Sequence, residues 1–449
     1  MHRGAHNMTE GSIPRHLLLY CLPVVLGDLF QVTYNTVDSI IVGRFAGAGA
    51  LASVGVANPI MNIALFFMVG MGIGASVLMS GFYGAGDVKT LRREFTTAMV
   101  SGTLIGAGVS VLLFLLSRPL LLLCRTPGAI LPDTVRYLRI VALGIAATGG
   151  YNLLAAASRS VGDTRTPLCC LIAGSLVNIG LDLLFVGVFS FGVAGAAAAT
   201  VVSQAISALL CLILLRRSTG DLFFGRGGPL LDRELLRKTL QFSYASALQQ
   251  AGIYVGKLLV QFMVNPLGVD SIAAFNAVNR IDDYAILPER DIAGGETVLV
   301  AQNRGAGRTD RMRAGLRVTL AAEVVYGVLA SLVIFFFAHP LMRLFVSADE
   351  TEVLRIGARY LRLMGLFYFL PGVTNAFQGY MRAVGKMRLT MFVTYGQMLT
   401  RALFTFLLIG RLRMEAVPFA CAAGWILMTV WEGGLILKWR RNGALNGNA

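Results

Sequence analysis

The residues best suited to chemistry are two aspartates and an asparagine set within long apolar runs. Asp38 lies in a run that begins near Leu17, and Asn178 lies one helical turn before Asp182 in another. Carboxylate and amide oxygens can ligate a small cation, and two close carboxylates raise the proton affinity of one of them, so that a proton can be held and released. The pattern therefore predicts a site for H⁺ or Na⁺ at Asp38, Asn178 and Asp182, and the sequence leaves the choice of ion open.

Four polar side chains of the apolar run around Asp38 lie on one face: Asp28, Gln31, Asn35 and Asp38. At 100° per residue they fall within an arc of about 80° if the run is helical. A carboxylate at the centre of a bilayer costs about 2.5–3.5 kcal/mol, so such a face is expected to line a hydrated pocket. Hydrogen bonds between helices are the alternative for the nearby Ser and Thr residues. The candidate cleft-lining residues of the amino-terminal half are Gln31, Tyr34, Asn35, Asn152 and Gln204.

A second concentration of charge lies inside a later apolar run, and it has two interpretations. The acids can neutralise the neighbouring Arg residues and Lys257 as a structural network, which costs little once every charge is paired. Alternatively, Glu289, Asp291 and Glu296 line a cleft and attract a cationic substrate. Glu323, in the next run, is expected to pair with a basic group.

The composition is that of a membrane protein. Of the 449 residues, 56% are hydrophobic and 14% are charged, and the mean hydropathy is +0.69, whereas soluble globular chains carry roughly 25% charged residues. The 39 Lys and Arg exceed the 24 Asp and Glu, but they gather in short gaps between apolar runs, which argues against a nucleic-acid partner. No HExxH, GxSxG or Cys-x-x-Cys motif occurs, so metal-centred and triad catalysis lack their residues and an enzyme is not expected.

Twelve runs have the length and hydropathy of a helix that crosses a bilayer, which is about 20 residues. They lie near 17–42, 51–83, 94–117, 137–157, 168–190, 193–215, 240–264, 272–301, 316–338, 360–380, 389–410 and 416–437. Lys and Arg are in excess in alternate gaps, which places both termini in the cytoplasm. The sequence therefore predicts an all-α, multi-pass integral membrane protein.

The two halves of the chain are repeats of each other. The run Arg136-Tyr137-Leu138-Arg139 recurs as Arg359-Tyr360-Leu361-Arg362, 223 residues on, and earlier matches lie 221 residues apart. Six spans per repeat give both halves the same direction in the membrane, an arrangement typical of carriers that work by alternating access. We expect an amino-terminal bundle at 1–215, a cytoplasmic linker at 216–239 and a carboxyl-terminal bundle at 240–449.

At these residues the chain resembles the multidrug and toxic compound extrusion (MATE) family of bacterial antiporters. The run from Tyr34 to Arg44 is similar to the first span of that family, and the runs from Val177 to Phe185 and from Ala301 to Gly307 are similar to later signatures. Each motif alone is weak, but together they are specific. The likeness covers essentially the whole chain.

The resemblance implies twelve transmembrane helices in two six-helix bundles around a V-shaped central cleft. It implies an ion site at Asp38, Asn178 and Asp182, with Tyr137 and Thr200 in support. The expected function is secondary antiport, in which a monomer surrounded by lipid exports amphipathic, cationic organic compounds or drugs in exchange for H⁺ or Na⁺. No cofactor besides the coupling ion is expected.

Two other functions remain open. A flippase for a lipid-linked saccharide or a lipid precursor has a distant fold relationship to the MATE family, and the ion site is the feature that argues against it. A polytopic membrane enzyme ranks lower, because every loop except 216–239 is short.

Pro23 is a candidate for a kink in the first span. A proline inside a helix removes one backbone hydrogen bond and favours bending. We hypothesise that ion binding at Asp38 and Asp182 biases this bend and so couples the ion to the cleft.

Overall fold

The described part of the chain is helical throughout. The structure, a computed structural model, describes residues 5–225 and 229–441, and no β-strand occurs among them. The first half contains α1 (Ile13–Ile41), α2 (Ala48–Gly84), α3 (Val88–Leu123), α4 (Leu131–Ser160), α5 (Arg165–Asp182) and α6 (Gly192–Phe223). The second half contains α7 (Arg233–Val264), α8 (Val269–Gly305), α9 (Thr309–Met342), α10 (Thr351–Gly365), α11 (Phe369–Ala383), α12 (Met387–Leu412) and α13 (Ala416–Arg441).

The helices have the length and surface of membrane spans. Among the described residues, eight helical segments are long and apolar enough to cross a bilayer, and one of them, Met387–Trp439, contains both α12 and α13. Large apolar side chains such as Leu115 and Phe336 are 63% and 69% exposed, as lipid contact allows. The all-α prediction is confirmed. The tenth predicted span, 360–380, is divided into α10 and α11 by three turn residues.

The helices of the two halves correspond along the chain. α2 and α8 each have 37 residues, and each begins after a glycine of positive φ, Gly47 at 87° and Gly268 at 103°. Only glycine adopts such a backbone without strain, so these residues set the turn that starts each helix. The two glycines lie 221 residues apart, and the two residues that shift later matches to 223 fall between Pro340 and Arg359.

Contacts between helices divide the chain into two units, and the start of the first helix of each half belongs to the unit formed mainly by the other half. Unit 1 consists of Leu22–Ala251 with the residues just before Met8, and unit 2 consists of Met8–Cys21 with Gly252–Ala449. The start of α1 therefore packs within unit 2, and the start of α7 packs within unit 1. α6 and α7 extend into both ends of the predicted linker, of which residues 226–228 lie outside the described residues.

Glycines at equivalent positions of α2 and α8 allow the start of α7 and the start of α1, respectively, to pack closely against them. In unit 1, a Cβ on Gly74 of α2 would lie 2.5 Å from the Cα of Ser243 in α7. In unit 2, a Cβ on Gly295 of α8 would lie 2.7 Å from the Sγ of Cys21 in α1. Both separations are shorter than a van der Waals contact, so each helix crossing requires glycine, as in closely packed membrane helices.

Candidate ion-coupling site

The carboxyl groups of Asp38 and Asp182 adjoin each other in unit 1. Asp38 is half-buried near the end of α1, and Asp182 is the fully buried last residue of α5. Each group lies within hydrogen-bonding range of the other when one of them carries a proton. Among the described residues no other donor reaches the oxygens of Asp182. Two adjoining carboxylates cannot both ionise in a site of low dielectric without a cation, which agrees with the predicted ion site. Ion binding by the pair stays a prediction.

Two tyrosines lie beside this aspartate pair. Tyr34 is one turn before Asp38 on α1, and Tyr137 of α4 is only 4% exposed; both interact electrostatically with both carboxyl groups. A phenol hydroxyl donates to a carboxylate and accepts from a carboxylic acid, so it suits either protonation state of the pair. The supporting role of Tyr137 stays a prediction, but its position agrees with that role.

π-helical turns bring the two aspartates together. α1 continues into a π-helical turn at Val42–Ala46 and α5 into another at Leu183–Val188, and these two turns contact each other. π-helical turns are rare and occur frequently at functional sites. Their contact places the ends of α1 and α5 side by side, although Asp38 and Asp182 are far apart in the sequence.

Other predicted site residues are less closely tied to the pair. Thr200 donates its hydroxyl hydrogen, and Asn152 an amide hydrogen, to the carbonyl oxygen one turn earlier in its own helix, each at 3.0 Å. Asn178 is 3% exposed one turn before Asp182, and within the described chain its amide nitrogen has no hydrogen-bond partner. The roles of Thr200, Asn152 and Asn178 in the site stay predictions.

The remaining candidates on α1 and α6 are accessible to different degrees. Gln31 and Gln204 are half-buried, and Asn35 is exposed. Pro23 lies inside α1, which continues through it, just after the point where this helix passes from unit 2 to unit 1. The cleft-lining and bending roles of these residues stay predictions.

The charged stretch of α8 separates into a surface ion pair and buried acids. The Nζ of Lys257 lies 2.7 Å from Oδ1 of Asp283, and both side chains are partly exposed. This pair provides the expected neutralisation of Lys257. Glu289 and Glu296 are fully buried, and Asp291 is 7% exposed; a cleft-lining role for these three acids stays a prediction.

Glu323 of α9 is the acid whose surroundings differ from the expectation. It is fully buried, and the charged groups that act on it are Glu289, Asp291 and Glu296 rather than a basic residue. The prediction of a basic partner is therefore wrong. The repeat carries a sign that Glu323 is unusual. The residue 221 positions before it is Gly102, so the first repeat has no side chain where the second repeat has a glutamate.

Known proteins match the chain over most of its length. The MatE family model matches residues 23–184 and 245–407, one segment in each repeat. The probable multidrug resistance protein YpnP of Bacillus subtilis is 30% identical over 383 residues, which cover 85% of this chain and 85% of that relative. The FAD transporter of Shewanella oneidensis is 25% identical over 393 residues, which cover 84% of this chain and 83% of that relative.

A solved structure has the same fold. A variant of the Vibrio cholerae MATE transporter VcmN superposes with a TM-score of 0.91 over 99% of this chain and 100% of that chain, at 20% identity. The prediction of two six-helix bundles is thereby confirmed, and members of this family are transporters rather than enzymes. The chain belongs to the MatE family of multidrug and toxic compound extrusion transporters.

Proposed function

We propose that the protein is a secondary active antiporter that exports amphipathic, cationic organic compounds and takes up H⁺ in exchange, by alternating access. The adjoining carboxyl groups of Asp38 and Asp182 are the observation that supports this proposal. Two such groups hold one proton between them and release it when a positive charge approaches.

Exchange follows from the charge of the aspartate pair. When the site is open to the outside, a proton binds and neutralises one carboxylate, which weakens the attraction for a cationic substrate and favours its release. When the site is open to the cytoplasm, the proton leaves and the restored charge attracts the next cation. Each ligand lowers the affinity for the other by the same factor, as linkage requires.

One proton per cycle is enough to drive export. Exchange of one proton for one monovalent cation moves no net charge, so a pH gradient alone drives it, at about 1.4 kcal/mol or tenfold in substrate per pH unit. For a neutral substrate the membrane potential contributes as well. One charge crossing about 100 mV releases about 2.3 kcal/mol, which corresponds to a gradient of about fiftyfold.

The relatives and the sequence support the substrate class and the location. The Bacillus subtilis relative is named a probable multidrug resistance protein, which supports an amphipathic drug as substrate, whereas the Shewanella oneidensis relative is named an FAD transporter. The negative charge of the aspartate pair favours cations. We place the protein as a monomer among the lipids of a bacterial inner membrane, with both termini in the cytoplasm, because basic residues are enriched in alternate loops.

The test is ethidium efflux from proteoliposomes, driven in turn by a pH gradient and by a Na⁺ gradient. Wild type is compared with Asp38→Asn and with the control Asp270→Asn, which removes an exposed carboxylate of the other unit in the first turn of α8. We expect the pH gradient to drive efflux by wild type and by Asp270→Asn, and not by Asp38→Asn.

Each other outcome has a definite meaning. Efflux that responds to the Na⁺ gradient alone would replace H⁺ by Na⁺ as the coupling ion. Efflux by Asp38→Asn at the wild-type rate would remove Asp38 from the site. Absence of a response to either gradient, with several cations, would contradict antiport and favour the flippase.

A further inference from the structure

Unit 2 contains three glutamates that are buried without hydrogen bonds. Glu289 and Glu296 of α8 and Glu323 of α9 are each 0% exposed. Within the described chain, no partner reaches any of their carboxyl oxygens. Burying an unsatisfied polar group costs about 1–3 kcal/mol, and a charged one costs more. These acids therefore reduce the stability of the unit that contains them.

The first repeat packs the equivalent helices without any acid at these positions. The residues 221 positions before Glu289 and Glu296 are Met68 and Ala75, both fully buried in α2. The helices α2 and α8 have the same length and start. The fold can therefore be built at these positions from apolar side chains, and packing does not require a carboxyl group.

A compensating change makes room for Glu323. In the first repeat, a Cβ on Gly102 would lie 2.3 Å from Cδ1 of Leu153, so the leucine fills this space. The equivalent residues in the second repeat are Glu323 and Ala376, and the smaller alanine frees the volume. The Oε2 of Glu323 lies 3.1 Å from the position of a Cβ on Gly372 of α11.

Glu296 has a compensating change of the same kind. A Cβ on Gly379 of α11 would lie 2.8 Å from Oε2 of Glu296, and the equivalent pair in the first repeat is Ala75 and Ala156. Gly372 and Gly379 are two helical turns apart on one face of α11. α11 thus offers two glycine notches, and one carboxyl group occupies each of them.

The groups around Glu323 are mostly acidic. They are Glu289, Asp291 and Glu296 of α8, Cys21 of α1, Tyr326 of α9 and, beside Glu296, Arg382 of α11. Arg382 supplies a positive charge to Glu296 and also interacts with Glu432 of α13. Glu289 acts electrostatically on Glu323, and no basic residue of the described chain is among the charged groups that do so. Close like charges cannot all ionise in a dry interior, so at least one of these two groups holds a proton.

We propose that Glu289 and Glu323 form a second proton-binding site, located in unit 2, at which these buried carboxyl groups hold one exchangeable proton. The acids do not converge as metal ligands do: no group of three His, Cys, Asp or Glu side chains suited to a metal ion occurs within 5–225 and 229–441. The site goes beyond the proposed function, which needs only the aspartate pair of unit 1.

The test is infrared difference spectroscopy of the protein in liposomes as the pH is changed, followed at the C=O stretching band of protonated carboxyl groups. Wild type is compared with Glu323→Gln and with a double variant that combines Glu323→Gly and Ala376→Leu. The double variant copies the Gly102 and Leu153 arrangement, so it removes the acid without leaving a cavity. Asp182→Asn is the control for the other site.

We expect wild type to show a component of this band whose amplitude changes with pH, as exchange of a buried proton requires. This component disappears in both Glu323 variants and persists in Asp182→Asn. An unchanged titrating amplitude in the double variant would overturn the site. If both Glu323 variants lose the component but a pH gradient does not drive transport by wild type, the second site is supported and the proposed antiport is contradicted. If the double variant keeps the component and a pH gradient does drive transport by wild type, the antiport is supported and the second site is overturned.

Discussion

The two repeats use the same helices to hold different acids. Where unit 1 has Asp38 and Asp182, the equivalent residues of the second repeat are Leu259 and Thr405. Duplicated halves of one chain preserve helix lengths and close crossings because packing depends on them, whereas a single carboxyl group can be gained or lost once its neighbours make room. The two repeats therefore share a scaffold and differ in the acids that it holds.

The two acidic sites also differ in their access to water. Asp38 is half-buried, and polar side chains precede it along α1, as a hydrated approach to the aspartate pair would require. Glu289 and Glu323 are fully buried in helix packing. The pair in unit 1 suits rapid exchange with substrate, whereas the packing of α8, α9 and α11 shields the two glutamates of unit 2 from water.

The largest expected effect separates the two sites. Asp182→Asn removes one of the two charges that bind the proton, so neither a pH gradient nor a potential should drive ethidium accumulation in proteoliposomes. The double variant of Glu323→Gly with Ala376→Leu should retain accumulation driven by pH, at about tenfold per pH unit. Driven transport by Asp182→Asn, or loss of driven transport in the double variant, would contradict the assignment of different roles to the two acidic sites.

A smaller effect concerns the number of protons. If both sites carry a proton per monovalent cation, one net charge enters per cycle, and 100 mV adds up to about fiftyfold to the gradient. Glu323→Gln should abolish this response to a potassium diffusion potential and keep the response to pH. A potential response that is equal in wild type and Glu323→Gln would show that the buried acid carries no transported proton.

The glycine notches give a comparison of stability. Glycine to alanine inside a helix normally stabilises by about 0.5–1 kcal/mol, but a Cβ on Gly379 would lie 2.7 Å from the carbonyl oxygen of Ala293 and 2.8 Å from Glu296. We expect Gly379→Ala to destabilise by about 1–3 kcal/mol. The matched Ala156→Gly of the first repeat should cost only about 0.5–1 kcal/mol. Thermal unfolding in detergent measures both, and an unchanged midpoint for Gly379→Ala would contradict the notch.

The smallest effect lies at two equivalent helix starts outside the membrane. Asp87 caps α3 by accepting from the backbone nitrogen of Thr90 at 3.0 Å, whereas Arg308 precedes α9 with similar backbone angles and no side-chain cap. Asp87→Ala should cost about 1 kcal/mol, and Arg308→Asp should stabilise by a similar amount.

The cap at Asp87 also has a pH dependence of known sign. Hydrogen bonds from Thr90 hold the pKa of Asp87 below its ordinary value. Its stabilisation is therefore complete above the unfolded value of about 3.9 and is lost as the pH falls through the lower folded pKa. The difference in unfolding midpoint between wild type and Asp87→Ala should shrink in acid, and a constant difference would contradict the cap.

Apolar run length and the repeat predict the helices and their duplication, and residue type predicts the aspartate pair. Two features could not be read in this way. The π-helical turns after Ile41 and Asp182 depend on tertiary contact rather than local composition. The exchange of the starts of α1 and α7 depends on close approach at Gly74 and Gly295, which hydropathy does not encode. The prediction of a basic partner for Glu323 is wrong because a single span does not show which neighbours surround a buried acid.

The most direct test of the central claim uses a substrate gradient as the only driving force. Proteoliposomes without a pH gradient are given an ethidium gradient, and the internal pH is followed with a trapped indicator. The account predicts that protons move opposite to ethidium in wild type, and that this movement is absent in Asp38→Asn and Asp182→Asn. Ethidium movement without proton countermovement in wild type would contradict proton-coupled antiport.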